Sequence, residues 1–398
     1  DYGDITYQKV LERLPCLIFE GPLPTYKGDK KTNKVYFTDL QEPGRSFSCE
    51  NVQNDVQGTS SQYYPRKNWK FKFKADITYT ESGRTSPTYA LRANSIPVNA
   101  FCVKADFAES SGTHNTGMAK VINSLLIEMG LTTPPQKTNK EVRTTVDGYP
   151  IAIFHRETAS DTLEFVGKYN FNNDKSTAET FGFSDGDESW EFSNNTSDRC
   201  LFKSADFSGT DWTNDFESRY PDDDAINAEY EAGTRKPEKL MAVTSWVVST
   251  KDNLDKFKNE VRNHFNLDNL IAYYLITELF GMVDQRAKNM FLTYFHEEGK
   301  WIFIFYDNDT CFGLNNEGLI AFGYNIEYHD KIGTLNVWNG ESSVLWNNLE
   351  KCFPSEIEAM YKDIRTRGLL SYDLIMSVLN GEQSDKWCEA IYNADGRF

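Results

Sequence analysis

Positive charge is scarce in this sequence. Its 398 residues carry 42 Lys and Arg against 59 Asp and Glu, a formal net charge of −17. That balance argues against a general nucleic-acid binder, which needs a cationic surface to release phosphate counterions, though it says little about fold. Such an acidic surface would favour a basic partner or substrate. Long apolar runs are also missing: nothing approaches 18 consecutive apolar residues, so no membrane-spanning helix is expected. The seven cysteines, at 16, 49, 102, 200, 311, 352 and 388, form no CxxC pair and no Cys/His cluster. This argues against zinc and for buried or free thiols, as in a reducing compartment. Internal repeats and low-complexity tracts are absent. The chain starts at Asp1 without Met and stops at Arg397-Phe398, and we expect it to be the ordered part of a longer or processed protein. Aromatics, by contrast, are plentiful, with 27 Phe, 21 Tyr and 8 Trp, and the length suits roughly two to three domain-sized units with a real core.

The most informative stretch runs from Asn266 to Gly313. Asn266 or Asp268 can cap a helix in which Leu267, Leu270, Ile271, Tyr274, Leu275 and Leu279 place apolar groups on nearly every side. Such a helix belongs in a domain interior. Gly281 ends it, and a polar loop, DQRAKN, sets Asp284 and Asn289 five apart. Two strand-like runs follow, MFLTYF and WIFIFY, joined by a turn containing Gly299, and the second exits into Asp307-Asn308-Asp309. Buried helix, Asp-x4-Asn loop, hairpin and strand-end Asp is the order of parts in the catalytic half of a protein kinase. Each short motif is weak alone; the ordered set carries the reading. Magnesium takes hard oxygen ligands, commonly one or two carboxylates with water and phosphate completing the shell. The kinase signature is altered here, because Met282 and Val283 precede Asp284 where HRD would stand, and DND replaces DFG.

Those departures are similar to the CotH-type spore-coat kinases, an atypical branch of the kinase fold. The matching positions are Glu278 to Gly281, Asp284, Asn289, Tyr306 (more often Trp in the family), Asp307, Asp309 and Gly313. The resemblance implies a two-lobed α+β fold using ATP with Mg²⁺ or Mn²⁺ to phosphorylate Ser, Thr or Tyr hydroxyls on a protein partner. By the same resemblance Asp284 orients the acceptor hydroxyl, Asn289 and Asp307 hold metal, and Asp309 is either a second acidic ligand or structural. The segment GTSSQYYPRK resembles the family's Gly/small-polar loop before a strand, with Gly58, Ser60, Ser61, Pro65, Arg66 and Lys67 in those places. In WKFKFK, Lys70, Lys72 and Lys74 alternate with Trp69, Phe71 and Phe73, a half-buried strand. Gly58 and Ser60 would offer backbone and hydroxyl groups to nucleotide phosphates, and Lys67, Lys70 or Lys72 would supply charge; the sequence does not decide among them.

Further along, Met118, Val121, Ile122, Leu125, Leu126 and Met129 mark a helix stopped by Gly130. Lys104, Asp106, Ser111, His114 and Asn115 crowd its start, where an anion would be welcome. EVRTTVDGYPIAIFHRE reads as a hairpin turning at Asp147-Gly148, with His155, Arg156 and Glu157 lining the cleft or forming an ion pair. From 160 to 235 the chain is rich in Asn, Asp, Ser and Thr with scattered aromatics. GKYNFNNDK and WEFSNNT there resemble the CotH-like domain of phage and prophage structural proteins. Leu345, Trp346 and Asn347 match a family Leu-Trp-Asn segment.

The expected architecture is therefore an α+β, atypical two-lobed protein-kinase-like fold with an inserted Asn/Asp/aromatic-rich subdomain. Residues 1–50 would be an N-terminal extension, 51–160 an N-lobe-like sheet and helix, 161–240 the insertion, and 241–398 the catalytic half with C-terminal helices. The rival expectation is a non-catalytic structural component of a phage virion, tail- or capsid-associated, or of a spore surface, contacting neighbouring structural proteins. The resemblance points to the virion or the bacterial spore or cell surface. A glycan-binding role rests only on aromatics in the insertion.

Overall fold

The computed structural model describes residues 5–58, 61–107, 112–314, 340 and 342–383. The chain divides into two compact units: Asp1–Met118 with Val146–Thr180 and Met376–Phe398, and Ala119–Thr145 with Phe181–Ile375.

The first unit is a β-barrel. Its strands are β1 (Cys16–Glu20), β2 (Lys31–Thr38), β3 (Phe47–Gln57), β4 (Asn68–Phe73), the short β5 (Ile77–Tyr79) and β6 (Thr85–Ser86), β7 (Ala100–Lys104), β8 (Gly148–Arg156) and β9 (Glu164–Asn173). The order β2-β1-β8-β9-β7-β4-β3 returns to its start because β2 also pairs with β3, closing seven strands, while β5 and β6 hang from β3. Closure leaves no free edge among the seven. The interior is aromatic: Trp69 stacks on Tyr169 at 5.5 Å and Phe71 on Phe171 at 5.8 Å. The alternation in WKFKFK follows directly, with Trp69, Phe71 and Phe73 buried and Lys72 exposed. Outside, the helix Tyr7–Leu11, capped by Thr6, buries Val10 and Leu11 over Cys16, Ile18, Ala152 and Phe154.

Residues 1–50, expected as an extension, thus supply β1, β2 and the start of β3, and β9 comes from the stretch expected as an insertion. The hairpin expected at Asp147-Gly148 does not form. Gly148 opens β8, which runs parallel to β1 and antiparallel to β9. Gly148 is not among the positive-φ residues that a type I′ turn requires, and the Asp147 carboxylate accepts from the Gly148 N–H instead, at 2.8 Å. His155 and Arg156 take structural partners: His155 Nε2 lies 2.9 Å from the Gly21 carbonyl and Arg156 pairs with Glu20 at 2.7 Å.

The second unit is built on an antiparallel sheet, β11-β10-β12-β13, from β10 (Glu188–Ser193), β11 (Phe216–Tyr220), β12 (Lys288–Phe295) and β13 (Lys300–Phe305). β10 and β11 belong to the expected insertion, yet β10 pairs directly with β12. The apolar helix Leu267–Leu279 packs on β13, where Tyr273 meets Phe303 and Phe305 at 4.9 and 4.4 Å. Asn266 is its cap, accepting from Asn269 N at 3.1 Å, and Gly281 leaves it at φ +51°. The helices Pro134–Thr138, Asp224–Glu231, Glu238–Ser249, Leu254–His264, Val344–Cys352 and Pro354–Thr366 also belong to this unit.

Candidate functional site

Asp284, Asn289 and Asp307 converge at one end of the four-stranded sheet. Met290 pairs with Phe305, so Asn289 at the start of β12 lies opposite the point where β13 runs out into Tyr306 and Asp307. Neighbouring strands are separated by about 4.8 Å, so the register puts the loop Asn and the strand-end Asp at the same end of the sheet. Within the loop, Asn289 Nδ2 is 3.5 Å from Asp284 Oδ2, and the Lys288 ammonium stands 3.9 Å from the same oxygen. Asp284 and Asn289 are buried, while Asp307 and Asp309 are half-buried. Asn289 and Asp307 both adopt the left-handed backbone, at φ +53° and +58°. Asn and Asp tolerate this conformation best among residues with a Cβ, and such positions gather at functional sites.

Several residues to which the sequence assigned no role hold this loop. Gln285, fully buried, donates its side-chain N–H to the carbonyls of Tyr306 at 3.2 Å and Asp307 at 2.6 Å. The Tyr273 hydroxyl donates to the Gln285 carbonyl at 2.5 Å. Burial pushes this phenol well above its ordinary pKa, with Arg286 opposing, so it remains a donor. Trp346 Nε1 donates to the Arg286 carbonyl at 2.8 Å, and its ring stacks on Tyr273 at 5.7 Å. Glu278 pairs with the Arg286 guanidinium, which lies over the Tyr274 ring at 5.1 Å. The residues after β13 are tied to the helix end: Phe312 N donates to the Phe280 carbonyl at 2.6 Å and Gly313 N to that of Gly281 at 3.0 Å. The signal for Gln285 was its long polar side chain in a segment flanked on both sides by buried elements.

Asn289, Asp307 and Asp309 carry hard oxygen donors of the kind that magnesium takes. Among the described residues, no three His, Cys, Asp or Glu side chains group to hold an ion. One carboxamide oxygen and one or two carboxylates, from Asn289, Asp307 and Asp309, match an ion that keeps water and takes phosphate oxygens.

The expected nucleotide residues Gly58, Lys67, Lys70 and Lys72 belong to the barrel unit; Ser60, and Ser111 of the polar loop where an anion was expected, lie outside the described residues. Lys67 is spent on its own turn, donating to the carbonyls of Gln62 and Tyr64 at 2.7 Å each. Lys70 pairs with the buried Asp174 at 2.5 Å. Lys72 is exposed on β4. Gly58 takes φ +106°, and a Cβ there would come within 2.0 Å of Ser61 Oγ. The sequence reading passed over Lys168. It is buried, donates to the Gly112 carbonyl at 2.5 Å and to Asn170 Oδ1 at 3.3 Å, and has Lys104 buried on the neighbouring strand. Asn170 and Asn115 both donate to Asp106, so a carboxylate already stands where an anion was expected. The described cysteines, Cys16, Cys49, Cys102, Cys200, Cys311 and Cys352, are buried; burial pushes the Cys200 thiol up to about 12.

Comparison with known proteins gives one family. A model of the family described as CotH kinase protein matches residues 171–371, just over half of the chain. The match takes in β10 and β11, which the composition had suggested were inserted. No curated protein matches the sequence.

Proposed function

Because this chain belongs to the CotH kinase protein family, we propose that it transfers the γ-phosphoryl group of ATP, with Mg²⁺ or Mn²⁺, to hydroxyls on a protein partner. The observation carrying this reading is the joining of the Asp284 loop to the strand exit, where Gln285 bonds the carbonyl of Asp307 while Asp284 and Asn289 stand side by side. In it, Asp284 accepts a hydrogen bond from the acceptor hydroxyl and takes its proton as the new P–O bond forms, the bond from the γ-phosphorus to the bridging oxygen breaks and ADP leaves. Asn289 and Asp307 offer oxygens to the metal, with Asp309 as a further carboxylate in the same turn. The metal, when bound, neutralises phosphate charge. Lys288, beside Asp284, adds positive charge close to the transferring group. Phosphoryl transfer depends mostly on positioning and charge, which suits a loop fixed by Gln285, Tyr273 and Trp346. For the nucleotide, Gly58, Ser60, Lys67, Lys70 and Lys72 carry over as candidates; Lys72, the exposed one, is the first to replace, followed by the buried Lys104 and Lys168.

The test is transfer of labelled γ-phosphate to the protein itself and to a Ser-rich peptide. Loss of transfer in Asp284→Ala and in Asp307→Ala, each folded by circular dichroism, is the expected result. Transfer undiminished in both variants, or no transfer together with no metal-dependent nucleotide shift in Tm, would overturn it.

A further inference from the structure

The second unit contains a cavity of about 340 Å³ at the β11 edge of its sheet, within the size range of small-ligand pockets. Part of its lining is aromatic. Trp190, Trp212 and Tyr230 pack edge-on, with centroids 5.4 to 6.1 Å apart and planes inclined by 60 to 77°. The lining is also acidic, with Glu217, Asp222 and Glu231 against one guanidinium, that of Arg219. Arg219 is already neutralised, pairing with the buried Glu191 at 2.5 Å as well as with Glu217. The free charge of the lining is therefore negative.

We propose that this cavity binds an organic cation, a guanidinium or alkylammonium group borne by a basic side chain or by a free polyamine. Aromatic rings attract such a cation through their quadrupoles, more strongly where water is excluded, and Asp222 and Glu231 provide the counter-charge. Tyr230 shows the preference within the protein, holding the Arg235 guanidinium 5.8 Å from its ring centroid. An anion would meet carboxylates, and a purely apolar ligand would desolvate them without recompense.

The test reads binding alone, so it stands or falls separately from phosphotransfer. The full chain is titrated at low salt with N-acetyl-arginine amide, N-acetyl-lysine amide and spermidine. N-acetyl-citrulline amide serves as the neutral isostere, and calorimetry and tryptophan fluorescence give the readouts. At least one cation should saturate, and the Asp222→Asn/Glu231→Gln double variant and Tyr230→Leu should each weaken it about tenfold or more. Tighter binding of spermidine than of the amides would assign the site to a free amine, and the reverse order to a basic side chain. Asp222 and Glu231 are exposed, so the double variant tests charge without disturbing the core. Citrulline amide binding equal to arginine amide, unchanged affinity in the double variant, or saturation by none of the cations would overturn the proposal.

Discussion

Gln285 donates its side-chain N–H to the main-chain carbonyl of Asp307 at 2.6 Å, tying the Asp284 loop to the strand that delivers the second acidic residue. Its second bond goes to the carbonyl of Tyr306. Both acceptors would be left without this donor in Gln285→Met, a change that keeps most of the side-chain volume. We expect stability to fall by about 1–3 kcal/mol. The rate of phosphoryl transfer should fall as well, by up to about 100-fold, because small displacements of reacting groups are expensive. Denaturant melts and transfer assays on the same variant separate the two effects. A stable Gln285→Met protein with the normal rate would remove Gln285 from the account.

The left-handed backbone of Asn289 permits a cleaner separation of structure from chemistry. Asn289→Ala loses the amide and also incurs the Cβ penalty at φ +53°, roughly 1–2 kcal/mol. Asn289→Gly loses the amide without that penalty. The glycine variant should therefore melt higher than the alanine variant while both lose transfer and its dependence on Mg²⁺ concentration. If glycine restored the rate as well as the stability, the amide oxygen would have no role in holding metal.

What could be read from the sequence in this site was local. The helix Leu267–Leu279, its Asn266 cap, the Gly299 turn and the strand running out towards Asp307 each follow from spacing and turn chemistry within their own segment. The barrel could not be read in the same way. β1 finds its parallel partner β8 more than a hundred residues away, and β2 closes the ring on β3; periodicity marks a strand but not its neighbour. Composition misled between 160 and 240, where Asn and Asp look like loop residues. Asn170 and Asn172 are buried in β9, and Glu191 is buried beside Arg219 in the sheet that carries Asn289. Asn170 and Glu191 are satisfied by partners distant in sequence, Asp106 and Arg219, which composition does not reveal.

In the barrel unit, Gly112 is required by Lys168. Gly112 sits at φ +66°, and a Cβ there would lie 1.7 Å from the Lys168 ammonium nitrogen and 2.7 Å from its Cε. Gly112→Ala must push a buried lysine away from the carbonyl it bonds, so we expect a loss of about 1–3 kcal/mol. Combining it with Lys168→Met should recover part of that loss, because the shorter, uncharged side chain can withdraw. Strictly additive losses in the double variant would mean that the two residues do not meet.

His264 gives the second unit a predictable response to acid. Its ring stacks on Trp246 at 4.2 Å, near the carboxylate of Glu260, which accepts from Trp246 Nε1 at 2.9 Å. Burial lowers the imidazole pKa below its ordinary 6.5, Glu260 pulls it back up, and Lys256 adds to the lowering. A histidine with a depressed folded-state pKa resists protonation in the folded protein. Above pH 6.5 folded and unfolded chains both hold it neutral and its contribution is constant. As the pH falls below that value the unfolded chain takes up the proton first, and stability is lost until the folded-state pKa is reached. His264→Phe keeps a ring against Trp246 and removes the titration. The Tm difference between variant and wild type should therefore move in favour of the variant as the pH falls from 7 towards about 5. Carboxylates titrating lower down affect both proteins alike and cancel in the difference. A difference that stays flat, or that moves against the variant, would show that His264 is not held neutral by its surroundings.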